Sequence, residues 1–244
     1  MHSTYLRDLF DLHRAKIILG ILVILMSVQD VKSQGIGYRR RHLEYYDDKP
    51  IHYGILFAVP FTRFNIKHSN DFLSPDSTFV ISSPTNTAFR MGFIINAFLN
   101  DRFDLRTTPS VSLYSRNVKF NYPNQTFKVE KRESTWIEVP LLVKYKSLRR
   151  VNSRMYMLAG MTFGFETNVK RNRGGGGGQL STKSSDVSID YGIGYEQFFE
   201  FFKFAPELRF SHGLTNAFQP AKNSLGKGIN RLSTHTVTLY LNFE

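Results

Sequence analysis

From residue 51 to the last residues of the chain, apolar and polar side chains alternate. Ile51, Tyr53, Ile55, Phe57, Val59 and Phe61 open the pattern. Residues 88–99 set Phe89, Met91, Phe93, Ile95 and Leu99 against Arg90, Gly92 and Asn96. Residues 103–114 set Phe103, Leu105, Val111 and Leu113 against Asp104, Arg106, Thr108, Ser110 and Ser112. Residues 135–146 oppose Ile137, Val139, Leu141, Val143 and Tyr145 to Glu138, Pro140 and Lys144, and 155–166 oppose five Met and Phe residues to Gly160, Thr162, Gly164 and Glu166. Residues 186–196, 202–212 and 233–243 continue it, with Asp190, Glu196, Glu207 and Arg209 on the polar face. A period of two belongs to a strand whose side chains point alternately to the two faces of a sheet. No segment after residue 50 sustains a helical period, so the pattern predicts an all-β chain of eight strands.

The connections alternate as well. Long polar segments, 67–87, 116–133, 168–185 and 214–231, follow the odd-numbered strands, and short ones, 100–102, 147–154 and 197–201, follow the even-numbered strands. An antiparallel up-and-down barrel with its long connections at one rim gives this sorting. Eight strands close a cylinder so narrow that side chains fill it. A dozen Phe, Tyr and Met side chains turned inward would crowd that space, whereas lipid outside accepts them. The expectation is therefore an eight-stranded antiparallel up-and-down transmembrane β-barrel over 51–244. Its middle would hold Arg90, Asp104, Arg106, Glu138, Lys144, Glu196, Glu207 and Arg209 as a charge network. A paired plug is the commoner role of such groups, a proton or ion path the rarer one. Tyr53, Tyr145, Tyr191, Tyr195 and Phe243 would form interfacial girdles near strand ends. The mean hydropathy of −0.27 does not oppose this, because only alternate residues of such a barrel touch lipid.

Ahead of the strands, Arg7, Arg14 and Lys16 precede the apolar run IILGILVILM at 17–26. That run is too short for a transmembrane helix and suits the core of a cleaved signal peptide over 1–33, cut between Ser33 and Gln34. Residues 34–50 would then be a short periplasmic segment, in the outer membrane of a Gram-negative bacterium, with the long loops extracellular. The chain has no cysteine, which excludes a lipoprotein anchor and a disulfide framework. Its formal charge is +12. An exported protein rarely meets nucleic acid, so this points to outer-membrane lipid and lipopolysaccharide, or to acidic partners, beside the simpler reading of solvated loop charge. Near the chain end, Phe243 on an apolar strand matches the kind of signal that barrel-insertion machinery reads, although Glu244 follows it.

Pro50 makes a rigid extended entry to the first strand, and Tyr45, Tyr46, Asp47, Asp48 and Lys49 precede it. These five form either a docking patch for a partner or a strap that seals the barrel bottom. The run GGGGG at 174–178 lacks the Lys and Ser/Thr of a phosphate loop and reads as a flexible loop tip. No G-x-S-x-G, H-E-x-x-H or spaced Cys/His cluster occurs. Of the histidines only His68 and His212 could reach the external rim, with no nucleophile beside them, so the sequence predicts neither an enzyme nor a cofactor or metal site.

The stretches YYDDKPIHYG (45–54), WIEVPLLVKYKS (136–147), GMTFGFE (160–166) and APELRFSHGL (205–214) resemble the PorT/SprT type of outer-membrane β-barrel of the type IX secretion system. The first is the sharper signal, since many small barrels share an E-x-P-L-L-x-K-Y-like strand. GYRRRHLE and RNRGGGGG are not features of that family. The resemblance implies a non-enzymatic accessory of type IX protein secretion, gliding-related export included, with protein partners in a secretion translocon, and it favours the docking reading of residues 45–49. The alternative is an adhesin-like surface barrel whose basic loops bind polysaccharide or other ligands.

Overall fold

The computed structural model describes residues 40–68, 80–121, 127–167, 183–217 and 229–244. The expected signal peptide and its cleavage site, and the glycine run at 174–178, lie outside the described residues. Arg41–Glu244 form one compact unit. It is built from β1 (Ile51–His68), β2 (Val80–Ser82), β3 (Asn86–Thr87), β4 (Phe89–Phe98), β5 (Phe103–Thr107), β6 (Ser110–Asn121), β7 (Phe127–Lys146), β8 (Ser153–Glu166), β9 (Ser185–Phe198), β10 (Lys203–Gly213) and β11 (Ile229–Phe243).

These make eight staves. β2, β3 and β4 are successive pieces of one stave, and β5 and β6 are another, broken at Thr108 and Pro109, where proline has no backbone donor to give the ladder. All neighbouring staves are antiparallel, and β11 pairs with β1 to close the ring. Following paired residues from His52 through Asn96, Arg106, Leu142, Gly160, Asp190, Ser211 and Thr236 returns to β1 at Thr62, ten residues beyond the start. A stagger of that size on eight staves tilts the strands by about 40°. At a rise of about 3.3 Å per residue, the outward apolar run on β1 from 51 to 61 then covers a height of roughly 25 Å, the thickness of the apolar band of outer-membrane barrels.

The two faces divide as the alternation predicts. Phe57, Phe93 and Phe163 point outward and are 38%, 67% and 41% exposed, while Arg106 and Glu207 are 0% and 1% exposed inside. Six inward aromatics break the simple rule: Phe64 and Phe198 lie near the two ends of the bore, and Tyr114, Trp136, Tyr156 and Tyr240 within it. The last four each carry a polar atom that hydrogen bonds within the lumen, as buried Tyr and Trp do, while the two Phe rings lie under the guanidinium groups of Arg116 and Arg149. Tyr156 has room because Gly194 lies opposite it; a Cβ at Gly194 would collide with the Tyr156 ring.

The strands run further than the apolar alternation. β6 and β7 stay paired up to Asn121 and Phe127, so much of the expected loop 116–133 is a two-stranded ribbon, and β2 and β3 occupy part of the expected loop 67–87. Above the apolar belt both faces of a strand meet polar surroundings, so alternation no longer marks it. Tyr191 is also not a strand-end girdle residue: it sits mid-strand opposite Phe210, and its hydroxyl meets His212 Nε2 at 3.0 Å.

Candidate functional site

The polar side chains that the strand period turns inward converge on the bore. At the short-turn end Glu196 is the hub. Its carboxylate takes hydrogen bonds from Lys144 and Arg154, and from Lys203 at 3.1 Å, with Arg106 at 4.0 Å. Arg106 also reaches Glu207 at 3.4 Å and Glu244 at 2.7 Å, and Asn96 Oδ1 accepts from its Nε. Lys146 pairs with Asp104 at 2.6 Å, Lys203 with Glu244 at 2.8 Å, and Arg209 with Glu207 at 2.6 Å. Six cations thus face five carboxylates, counting Asp47, which lies 2.9 Å from Arg154. Such near balance suits a structural plug. Isolated charges cannot be held there cheaply, whereas paired and hydrogen-bonded ones can.

A second cluster lies towards the long-connection end. Arg90 pairs with Glu138 and donates to Ser112 and to the hydroxyls of Tyr240 and Tyr114, while Tyr114 donates to Glu138 at 2.7 Å. The Arg209 guanidinium lies over the Tyr240 ring at 4.1 Å and joins the two clusters. Asp190 accepts from Thr162 at 2.7 Å and from Ser188 at 2.9 Å. All eight candidate lumen residues, Arg90, Asp104, Arg106, Glu138, Lys144, Glu196, Glu207 and Arg209, therefore sit in one connected interior. A polar cavity of about 40 Å³ remains near Arg90, Glu138 and Asp190, room for roughly three waters.

The segment 41–50 covers the short-turn end. Tyr46 stacks on His52 (centroids 4.0 Å apart), its carbonyl accepts from His52 Nε2 at 2.6 Å, and its hydroxyl donates to Glu244 at 2.8 Å. Lys203 Nζ lies 4.4 Å from the Tyr46 ring centre. Burial, and next the Glu244 charge, push the Tyr46 phenol well above its ordinary pKa, so it stays a neutral donor. Arg149 clamps the same segment through the carbonyls of His42 and Leu43, and His42 N–H donates to Asn152 Oδ1 at 2.8 Å. The five residues predicted as a docking patch thus divide. Tyr46 and Asp47 are engaged with the barrel, as a strap would be, whereas Tyr45, Asp48 and Lys49 are exposed.

Sequence reasoning missed Lys146, Arg154, Lys203 and Glu244 as members of the network. The first three share strand parity with the residues it did name, and that parity is the signal that could have found them. Glu244 shares it too, two residues beyond the inward Asn242 of β11. Among the described residues no group of three or more His, Asp or Glu side chains is placed to hold a metal ion.

A closed ring of eight antiparallel staves, apolar outside and ionic inside, defines the class of small outer-membrane barrels. The chain belongs to the outer membrane protein beta-barrel domain family, whose profile matches residues 33–219. No curated protein matches it. Similar solved structures include OprG from Pseudomonas aeruginosa (9% identity, 78% of this chain and 94% of that one, TM-score 0.45). Neisserial surface protein A (10%, 80% and 98%, 0.40) and the attachment invasion locus protein Ail of Yersinia pestis (10%, 80% and 98%, 0.34) are others.

Proposed function

We propose that this outer-membrane barrel neither conducts nor catalyses, and that it serves type IX protein secretion as an accessory acting through contacts at its rims. The observation that carries the reading is the filled bore, in which Glu196, Glu207 and Glu244 are each held by cations and Tyr46 closes one end. A protein whose lumen is closed in this way works through its surfaces. The resemblance of 45–54 to PorT/SprT-type barrels supplies the secretion context, and Tyr45, Asp48 and Lys49 beside that closed end supply exposed side chains for a translocon partner. On this reading the short-turn end is periplasmic and the long connections are extracellular.

The test replaces Tyr45 by Ala and Asp48 by Lys together, sparing Asp47 because it pairs with Arg154. Extracellular cargo should fall to the level of a deletion strain, while barrel abundance and heat-modifiable gel mobility stay normal. Normal cargo in the deletion strain would end the secretion reading.

The β6–β7 ribbon, which continues to Asn121 and Phe127 beyond the apolar belt, favours a second reading, an adhesin-like surface barrel. Under that reading deletion leaves secretion intact and abolishes binding of cells to polysaccharide or another surface ligand.

A further inference from the structure

On each stave one residue is the first to point outward beyond the apolar belt, at its long-connection edge. Five staves place a hydroxyl residue there: Thr87, Ser115, Thr135, Thr167 and Ser185. The three adjacent staves β10, β11 and β1 place His212, His235 and Arg63, which lie in one cross-strand row. His212 and His235 meet through their Nδ1 atoms at 3.0 Å, leaving His235 Nε2 without a protein partner among the described residues. Two outward positions further on, Lys67 stands directly opposite Arg231, and both are exposed. Among the described residues Arg63, Lys67 and Arg231 form no ion pair with a carboxylate. Like charges directly opposite each other on neighbouring strands are destabilising on their own, so the Lys67–Arg231 pair, with Arg63 on the same stave, calls for an anion beside it.

The wall also opens at this place. The ladder between β1 and β3 ends at Thr62 and Asn86, and beyond it Phe64 N–H donates to Ser83 Oγ at 3.1 Å instead of to a neighbouring strand. A groove of about 500 Å³ results, and Arg63, His212 and His235 line it.

We infer that this sector is a binding site for a phosphate-bearing glycolipid headgroup of the leaflet that meets the long-connection rim. The height selects a lipid over a soluble anion: Phe61, Phe210 and Val237 lie immediately below the row on the same three staves and would flank the acyl chains. Arg63 supplies a forked donor suited to phosphate, His235 Nε2 a further hydrogen-bonding nitrogen, and Lys67 with Arg231 a second phosphate contact. The site stands independently of the secretion reading and rests only on the barrel and its belt.

The test is native mass spectrometry of the full chain in nanodiscs, with a bis-phosphorylated glucosamine disaccharide lipid as probe and its phosphate-free analogue as comparison. The phosphorylated lipid should be retained at least tenfold more strongly. Arg63→Gln, Lys67→Gln and Arg231→Gln combined should remove that preference, while Lys119→Gln, on another sector, keeps it. Equal retention of the two lipids, an unchanged preference in the triple variant, or stronger retention of a soluble polyanion such as heparin would overturn the site. If the triple variant does not fold, single variants decide: Arg63→Gln should lose about fivefold and Arg63→Lys, which keeps the charge but not the fork, about two- to threefold, and equal behaviour of the two would overturn it. Nanodiscs expose both rims to the same lipid, so the assay is blind to orientation. Labelling of a cysteine placed at Lys67 with an impermeant maleimide on intact cells reports orientation separately.

Discussion

Glu196 is the position at which the lumen network is most open to test. Its carboxylate is fully buried and takes hydrogen bonds from Lys144, Arg154 and Lys203, with Arg106 4.0 Å away. Glu196→Gln keeps the shape, removes the charge, and turns an amide N–H₂ towards cations that cannot accept from it. Breaking a buried ion pair by neutralising one partner costs about 3–5 kcal/mol, because the other charge stays buried. With three donors affected, a value of about 4 kcal/mol is expected, roughly three decades in the folding equilibrium. At a denaturant slope of about 2 kcal/mol per molar urea, the unfolding midpoint falls by about 2 M. Urea titration of the folded barrel in detergent micelles, followed by circular dichroism and by heat-modifiable mobility, measures this. Glu200→Gln, on the exposed turn between β9 and β10, should leave the midpoint in place. A loss below about 1 kcal/mol for Glu196→Gln, the range of an exposed surface pair, would refute the buried-hub argument.

Other expectations come from the same interior. Gly194→Ala drives a Cβ into the Tyr156 ring and should destabilise the barrel by about 1–3 kcal/mol in the same titration, with Gly194→Ala/Tyr156→Phe no better, since the collision is with the ring itself. Arg149→Ala removes the donors to His42 and Leu43 carbonyls, so residues 41–50 should become several-fold more sensitive to limited proteolysis while the barrel stays resistant. In planar bilayers the full chain should give no ion channels, and a regular conductance step would contradict the closed bore.

The eight staves were legible because lipid and the narrow bore impose opposite demands on alternate residues. Within the belt the spacing put Ile51 to Phe61 on one face, and the narrowness of an eight-stranded bore put that face outside. Past the belt the contrast vanishes, which is why the β6–β7 ribbon read as a loop. The interior was legible as a set of charged residues but not as a set of partners. Which carboxylate meets which cation depends on the ten-residue stagger of the ring, and a sequence does not display its register. Glu196 becomes the hub only because β7, β8 and β10 bring Lys144, Arg154 and Lys203 to it. Tyr46 was visible as part of a motif with His52, yet its placement over the end of the bore also depends on Glu244, at the other end of the sequence. The cationic sector of β10, β11 and β1 was hidden for a related reason, since Arg63, His212 and His235 are distant in sequence and meet only through strand register.

The chain's single tryptophan gives a direct reading of which face meets lipid. Trp136 points inward, is 6% exposed, and donates to Ser134 Oγ at 3.0 Å. In vesicles containing lipids brominated along the acyl chains, the unaltered protein should keep nearly all of its tryptophan fluorescence. The variant with Trp136→Phe and Phe93→Trp should lose most of it. Strong quenching of the unaltered protein, together with a protected tryptophan at position 93, would mean that the aromatic face does not meet lipid.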